Sequence, residues 1–269
     1  MPAQFVKPYL NRQKNDANDA GAIAEAVQRP TMRFVAVKRI DQVDTQALHR
    51  VRDRLVRQRT QLVSQTRSLC LEYGLTLAQG LPTFCRDMPQ LLENPDSTFT
   101  PRMLRVLQSL WEEFLLLNDR VNAVSEEIKA IARHDETARR LMSVPGIGEL
   151  TASAIVSAVG CPQNFKRGRD LAAWIGLVPA QHSTGGKTKL LGISKRGNPY
   201  LRRLLVHGAR SAKLHLDREK DQLGPWLNKA EARMPPNKVT VALANKLARI
   251  AWVILTKPGE TYDKGAVSA

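Results

Sequence analysis

The most constraining feature of this 269-residue chain is a run of apolar residues in its middle. Met103, Leu107, Leu110, Phe114, Leu117, Val121, Val124, Ile128 and Ile131 alternate steps of four and three without a break. That is a 3.5-residue repeat, the pattern of an a/d seam between helices. One helix over 102–133 is predicted, reaching roughly 45 Å at 1.5 Å per residue. Upstream, Leu48, Leu55, Leu62 and Leu69 recur every seven residues on a second predicted helix over 41–73. Its complementary heptad positions are polar or basic (Arg52, Gln58, Arg59, Gln65), which makes it the weaker partner. The intervening stretch 74–101 holds Gly80, Pro82, Pro89, Pro95 and Pro101 and reads as an irregular tip. Two core helices of a bundle would fit this pattern, but the length and otherwise polar faces favour an antiparallel helical arm, an element that more often mediates dimerisation than chemistry.

Charge divides the chain further. There are 41 Lys and Arg against 25 Asp and Glu, a formal net charge of +16. Residues 91–136 carry nine acidic and five basic residues, whereas 166–213 carry eleven basic residues and a single acid, Asp170. A one-sign block of this kind points to a polyanionic partner, most often nucleic acid. With 43% hydrophobic and 25% charged residues the composition is that of a globular protein. Cys70, Cys85 and Cys161 form neither a disulfide framework nor a CxxC zinc pattern, so a reduced, cytosolic chain is expected. The start lacks an apolar leader and no stretch approaches 18 uninterrupted apolar residues, which sets secretion and membrane spanning aside.

Three segments carry candidate chemistry. In Val144-Pro-Gly-Ile-Gly148 a helix is predicted to end, turn tightly and restart as an Ala-rich helix to Val159. Gly146 and Gly148 would let a phosphate approach the backbone beside free helix N–H groups. A helix-hairpin-helix grip on DNA phosphates and a purely structural αα-turn both fit. The second segment, Ala180-Gln-His-Ser-Thr-Gly-Gly-Lys187, reads as a mobile Gly-rich loop carrying Ser183 and Thr184, flanked by Lys187, Lys189, Lys195 and Arg196. A P-loop is excluded, because the first glycine of that motif would fall on Gln181 and no apolar strand leads into it. A hydroxyl here suits either a phosphate clamp or a nucleophile. The helix that follows adds Arg202, Arg203 and Arg210 for a DNA backbone. The third segment is a helix start at Asn15, where Asp16 and Asp19 lie i, i+3 on one face. They can share Mg²⁺, or they can simply complement the helix dipole. Trp226, Trp252 and the apolar stripe of 238–256 read as packing.

Taken in order, Asn15-Asp-Ala-Asn-Asp-Ala20, Val144–Gly148, Leu171-Ala-Ala-Trp-Ile-Gly-Leu-Val-Pro179, His182–Lys187 and Gly192-Ile-Ser-Lys-Arg-Gly-Asn-Pro-Tyr-Leu-Arg202 resemble the IS110 and IS1111 insertion-sequence transposases across the whole chain. The resemblance implies a mainly α protein in three parts. These are the C-terminal remnant of an RNase H/RuvC-like α/β DEDD domain over 1–40, a coiled-coil arm over 41–137, and a helical transposase domain over 138–269. The last would hold the helix-hairpin-helix-like motif (141–160) and the serine loop (179–198). The resemblance also implies a bacterial, nucleoid-associated recombinase that cleaves and exchanges DNA strands. Ser183 would be the nucleophile, with Thr184 one residue away; Asp16 and Asp19 would be Mg²⁺-binding carboxylates. Gly146, Gly148, Lys187, Lys189, Lys195, Arg196, Arg202 and Arg203 would meet DNA. A structured guide RNA and a homo-oligomer joined by the arm are implied as well. The first Asp and the Glu of the family's tetrad have no place in the fifteen residues before Asp16, so a misassigned start or a truncated copy, with impaired catalysis, is expected. The alternative is a non-catalytic architectural DNA-binding protein.

Overall fold

The computed structural model describes residues 1, 3–10, 15–30, 32, 34, 37–93 and 98–265. Their secondary structure is mainly helical, with a single two-stranded sheet among the described residues. The first forty residues contribute α1 (Ala3–Val6), a 3₁₀ turn (Lys7–Tyr9) and α2 (Asp16–Val27).

The 3.5-residue repeat folds as expected. α3 (Ile40–Glu72) and α5 (Pro101–His134) are 33 and 34 residues long, and each extends about 50 Å at 1.5 Å per residue. Thr100 starts α5, its side chain accepting from Met103 N with Pro101 at the first helical position; this combination satisfies an orphan N–H and presets φ. Leu107, Phe114, Val121 and Ile128, one every seven residues, are buried. Of the alternate seam positions Leu117 is buried, whereas Met103, Leu110, Val124 and Ile131 are half-buried at the edge of the two-helix pair. The helices run antiparallel: Cys70 packs near Leu107 at one end, and Arg52 meets Ser125 towards the other.

The expected irregular tip is a correction. Residues Leu81–Glu93 form a further helix, α4, whose Phe84 and Met88 are fully buried between the long helices. Phe84 meets Phe114 edge-on at 5.1 Å and Trp111 at 6.0 Å. Pro82 falls in the first turn, where no N–H is needed, and Pro89 is tolerated because the aromatic anchors outweigh one lost backbone bond. Pro95 lies outside the described residues.

The bases of α3 and α5 both pack on α7 (Glu149–Val159), which follows α6 (Glu136–Leu141). Beyond them come α8 (Gly168–Ile175), strands β1 (Pro179–Thr184) and β2 (Lys187–Ile193), α9 (Pro199–His215), α10 (Leu223–Glu231) and α11 (Pro236–Thr256). Asn198 caps α9 by accepting from Tyr200 N and Leu201 N, with Pro199 at the first position. α11 is long and apolar enough to cross a membrane by length and composition. Here it is a core helix: Val239, Leu243, Ala244, Leu247, Ala248, Ala251 and Ile254 are buried, and it packs against α8, α9, α6 and α10. Arg140 of α6 donates to Ile254 O and Lys257 O, capping the end of α11. Trp252 packs against this core and donates Nε1–H to Phe165 O at 3.0 Å.

Candidate functional site

The segment expected as a mobile Gly-rich loop is an antiparallel β-hairpin. Its two-residue turn is Gly185-Gly186, with φ of +54° and +73°. Positive φ at both central positions matches the right-handed twist of the strands and suits glycine. Thr184 pairs with Lys187, Ser183 with Thr188, His182 with Lys189 and Gln181 with Leu190. Every residue from 181 to 192 is exposed, so the hairpin stands clear of the core.

This register divides the flanking lysines and the two hydroxyls between the faces of the hairpin. Residues directly opposite in an antiparallel pair share a face, and successive residues alternate. One face therefore carries Gln181, Ser183, Thr188 and Leu190, and the other carries His182, Thr184, Lys187 and Lys189. Ser183 Oγ accepts from Gln181 Nε2 at 2.6 Å, which confirms their common face. Among the two adjacent hydroxyls, Thr184 shares the cationic face and Ser183 does not.

The base of the hairpin is held rigidly. Gly176 ends α8 in the left-handed region (φ +80°), and a Cβ there would meet Arg196 O at 2.0 Å. Gly197 (φ +82°) lies equally close to Trp174 O, 1.7 Å from an added Cβ. Ser194 N donates to Val178 O at 2.8 Å, and Lys195 adopts φ +54° to make this crossing. Arg202 Nη1 donates to Ile175 O at 2.8 Å and to Arg196 O at 3.1 Å. Arg202 is thus committed to capping α8, whereas Lys195 and Arg196 stay exposed. Arg203 lies over the Tyr200 ring, 5.3 Å from its centroid, and ion-pairs with Asp53 of α3.

The turn at Val144–Gly148 joins α6 to α7, with Ile147 N donating to Val144 O at 3.0 Å. Its two glycines have different reasons to be there. Gly146 (φ +83°) faces α9, and a Cβ on it would sit 2.3 Å from Gly208 O; the reciprocal distance is 2.0 Å. Gly146 therefore serves close backbone packing, not the approach of a ligand. Gly148, at the N-cap of α7, is exposed and has nothing within 4 Å of its Cβ position. Beside it runs a groove of about 730 Å³ whose lining includes Ser143, Ser211, His215, Lys220 and Lys264.

Asp16 and Asp19 occupy the first turn of α2, exposed and half-buried respectively, behind the N-cap Asn15. Two carboxylates at i and i+3 leave most of an octahedral Mg²⁺ shell unfilled, and among the described residues no group of three or more His, Cys, Asp or Glu is close enough to hold a metal. The pair alone does not fit a phosphoryl-transfer metal centre.

One buried polar group escaped the sequence reading. His49 of α3 is 3% exposed, with hydrogen bonds of 2.9 Å through Nδ1 to Tyr200 Oη and through Nε2 to Ser153 Oγ. Burial, reinforced by the nearby Arg52, lowers its pKa to about 4, so it bridges α3, α7 and α9 as a neutral ring. Its partners lie 104 and 151 residues away, and nothing local in the sequence announces them.

Comparison with known proteins places this architecture. The model of the IS116/IS110/IS902 transposase family matches residues 138–223, which include the turn, the hairpin and α9. A DEDD-type IS110 transposase model matches residues 2–74, which include Asp16, Asp19 and α3. The transposase for insertion sequence element IS1111A of Coxiella burnetii is 48% identical over 263 residues, covering 98% of this chain and 72% of that protein. The transposase for insertion sequence element IS1328 of Yersinia enterocolitica is 43% identical over 263 residues, 97% of this chain and 77% of its own length. The protein is a transposase of a bacterial mobile element by class. The chain belongs to the IS116/IS110/IS902 family, in the company of the IS1111-type enzymes.

Proposed function

We propose that the chain cleaves and rejoins DNA strands at the ends of its element with Ser183 as nucleophile. The observation that carries this reading is the presentation of Ser183. Its hydroxyl is exposed on a freestanding hairpin, one residue pair from the turn, and its oxygen is already oriented by Gln181. Because Gln181 Nε2 donates to Oγ, the hydroxyl's own proton points away from Gln181, towards whichever base the assembled site supplies. Attack by Oγ on a DNA phosphodiester would form one P–O bond while a bridging P–O bond to a deoxyribose oxygen breaks. The hydroxyl proton leaves through solvent and the departing oxygen takes one up. Attack by a strand-end hydroxyl on that phosphoserine would reverse the chemistry and restore Ser183. Lys187 and Lys189, on the opposite face, would hold the flanking backbone and not the reacting phosphate.

Gly148 at the start of α7 would contact DNA phosphates without reading sequence, as helix N-termini do. Asp16 and Asp19 would contribute two carboxylates to a Mg²⁺ site whose other donors lie outside this pair. The reading further includes a structured guide RNA and a homo-oligomer joined along the arm, where the half-buried seam positions of α5 leave apolar surface to cover. A transposition assay in cells carrying the element tests it: Ser183→Ala abolishes strand exchange and leaves DNA binding within about twofold. Unchanged exchange in Ser183→Ala would favour an architectural DNA-binding role.

A further inference from the structure

The arm has two electrically different sides. Between residues 45 and 70, α3 carries six arginines and one acid, Asp53. The length of α5 that runs beside it, 107–132, carries Glu112, Glu113, Asp119, Glu126 and Glu127 against Arg120 and Lys129. Arg52 and Arg59 point inward to α5. Arg50, Arg54 and Arg57, spaced by four and three, are exposed along α3, beside Asp53, which reaches Arg203 of α9. On α9, Arg203, His207 and Arg210 repeat that spacing on the exposed face opposite Leu201, Leu205 and Ala209. Asp53 joins the two rows, pairing with Arg57 and with Arg203 at once. Arg50, Arg54 and Arg210 have no acidic partner among the described residues.

From this arrangement we infer a second nucleic-acid surface, a basic ledge across the base of the arm that binds the phosphate backbone of duplex DNA. It is separate from the hairpin and the Val144–Gly148 turn, and it rests on the transposase reading for the choice of DNA. Each row spans about 10 Å along its helix, room for one or two phosphates. Duplex DNA carries one charge per ~1.7 Å of axis, so several phosphates meet the ledge together. Five of the six side chains are arginines and none is Phe, Tyr or Trp, which suits a stacked duplex backbone better than the splayed bases of a single strand. Asp53 orders the ledge by holding Arg57 and Arg203 in place, and the acidic outer face of α5 repels the same backbone, so the duplex can lie on one side of the arm only.

The test measures binding of the full chain to a 30-base-pair duplex of arbitrary sequence across a salt series. Three proteins are compared: the unaltered chain, the triple variant Arg50→Gln, Arg54→Gln, Arg210→Gln, and a charge-matched control, Arg102→Gln, Arg105→Gln, Arg120→Gln, on α5. Each lost phosphate contact flattens the dependence of log K on log salt by about 0.9. The ledge variant is expected to lose two to three units of slope and roughly tenfold or more in affinity, and the control to stay within about twofold. Equal losses in both triples, or an unaltered slope in the ledge triple, overturn the ledge while leaving DNA binding by the protein intact. An unaltered chain that binds no duplex DNA overturns the transposase reading along with it. If duplex RNA binding is lost in the ledge triple and DNA binding is kept, the assignment to DNA is overturned.

Discussion

Arg59 Nη1 of α3 donates to Asn118 Oδ1 of α5 at 2.7 Å, and one heptad nearer the base Arg52 Nε donates to Ser125 Oγ at 2.7 Å. The two pairs fix the antiparallel register of the arm, because a shift of either helix would strand both guanidiniums against apolar neighbours. Asn118→Leu, which leaves Arg59 unpaired, is expected to lower stability by about 1–2 kcal/mol, and adding Arg59→Met to recover most of it. Chemical denaturation of the two variants and the parent measures this coupling.

His49 makes the junction of arm and core sensitive to acid. Its folded pKa of about 4 lies below the ordinary value of 6.5. The unfolded chain therefore binds more protons than the native one between these values, and stability falls as pH drops from about 6.5 towards 4. The stability lost on acidification through this window is on the order of 3 kcal/mol, approached only below about pH 4. Melting temperatures from pH 7.5 to 4.5 should fall for the parent, and His49→Gln should be less stable at pH 7.5 with a flatter profile.

Gly208→Ala is expected to destabilise by roughly 2–3 kcal/mol, since its methyl would sit 2.0 Å from Gly146 O on two packed backbones. Gly148→Ala meets nothing within 4 Å and should melt within about 1 °C of the parent. Weaker DNA binding by Gly148→Ala at unaltered stability then reports on phosphate approach alone.

Arg202 and its neighbours separate in the same way. Arg202→Ala removes the donor to Ile175 O and Arg196 O and should cost about 1–2 kcal/mol. Lys195→Ala would relieve nothing at φ +54°, so the cleaner partner is Arg196→Ala, expected to weaken DNA binding at unchanged melting temperature.

These contrasts show what the sequence could express. The heptad residues Leu107, Phe114, Val121 and Ile128 announced α5 because one helix face alone carries its burial. α4 had its own signal in Leu81, Phe84, Cys85, Met88 and Leu92, but two prolines in the helix masked it. The hairpin went unread for a different reason. Its strands are exposed and mostly polar, with the consecutive Leu190 and Leu191 falling on opposite faces, so no apolar–polar alternation marks them, although Gly185-Gly186 between two short runs is a hairpin signature. Arg202, Arg203 and His49 could not be read locally at all, because their partners sit on other elements. The same registry of pairs sets Lys187 and Lys189 on the face opposite Ser183. Successive residues of a strand alternate between faces, so nearness along the chain does not say which hydroxyl shares the lysines' side.

The central claim is that Ser183 carries the DNA phosphate. Its most direct measurement is peptide mass spectrometry of the chain after incubation, as the assembled protein, with nicked element-end DNA that traps a covalent intermediate. A nucleotide-modified peptide with the mass carried on Ser183, lost in Ser183→Ala and kept in Thr184→Ala, is the predicted result. An adduct on Thr184, or one that persists in Ser183→Ala, would contradict it.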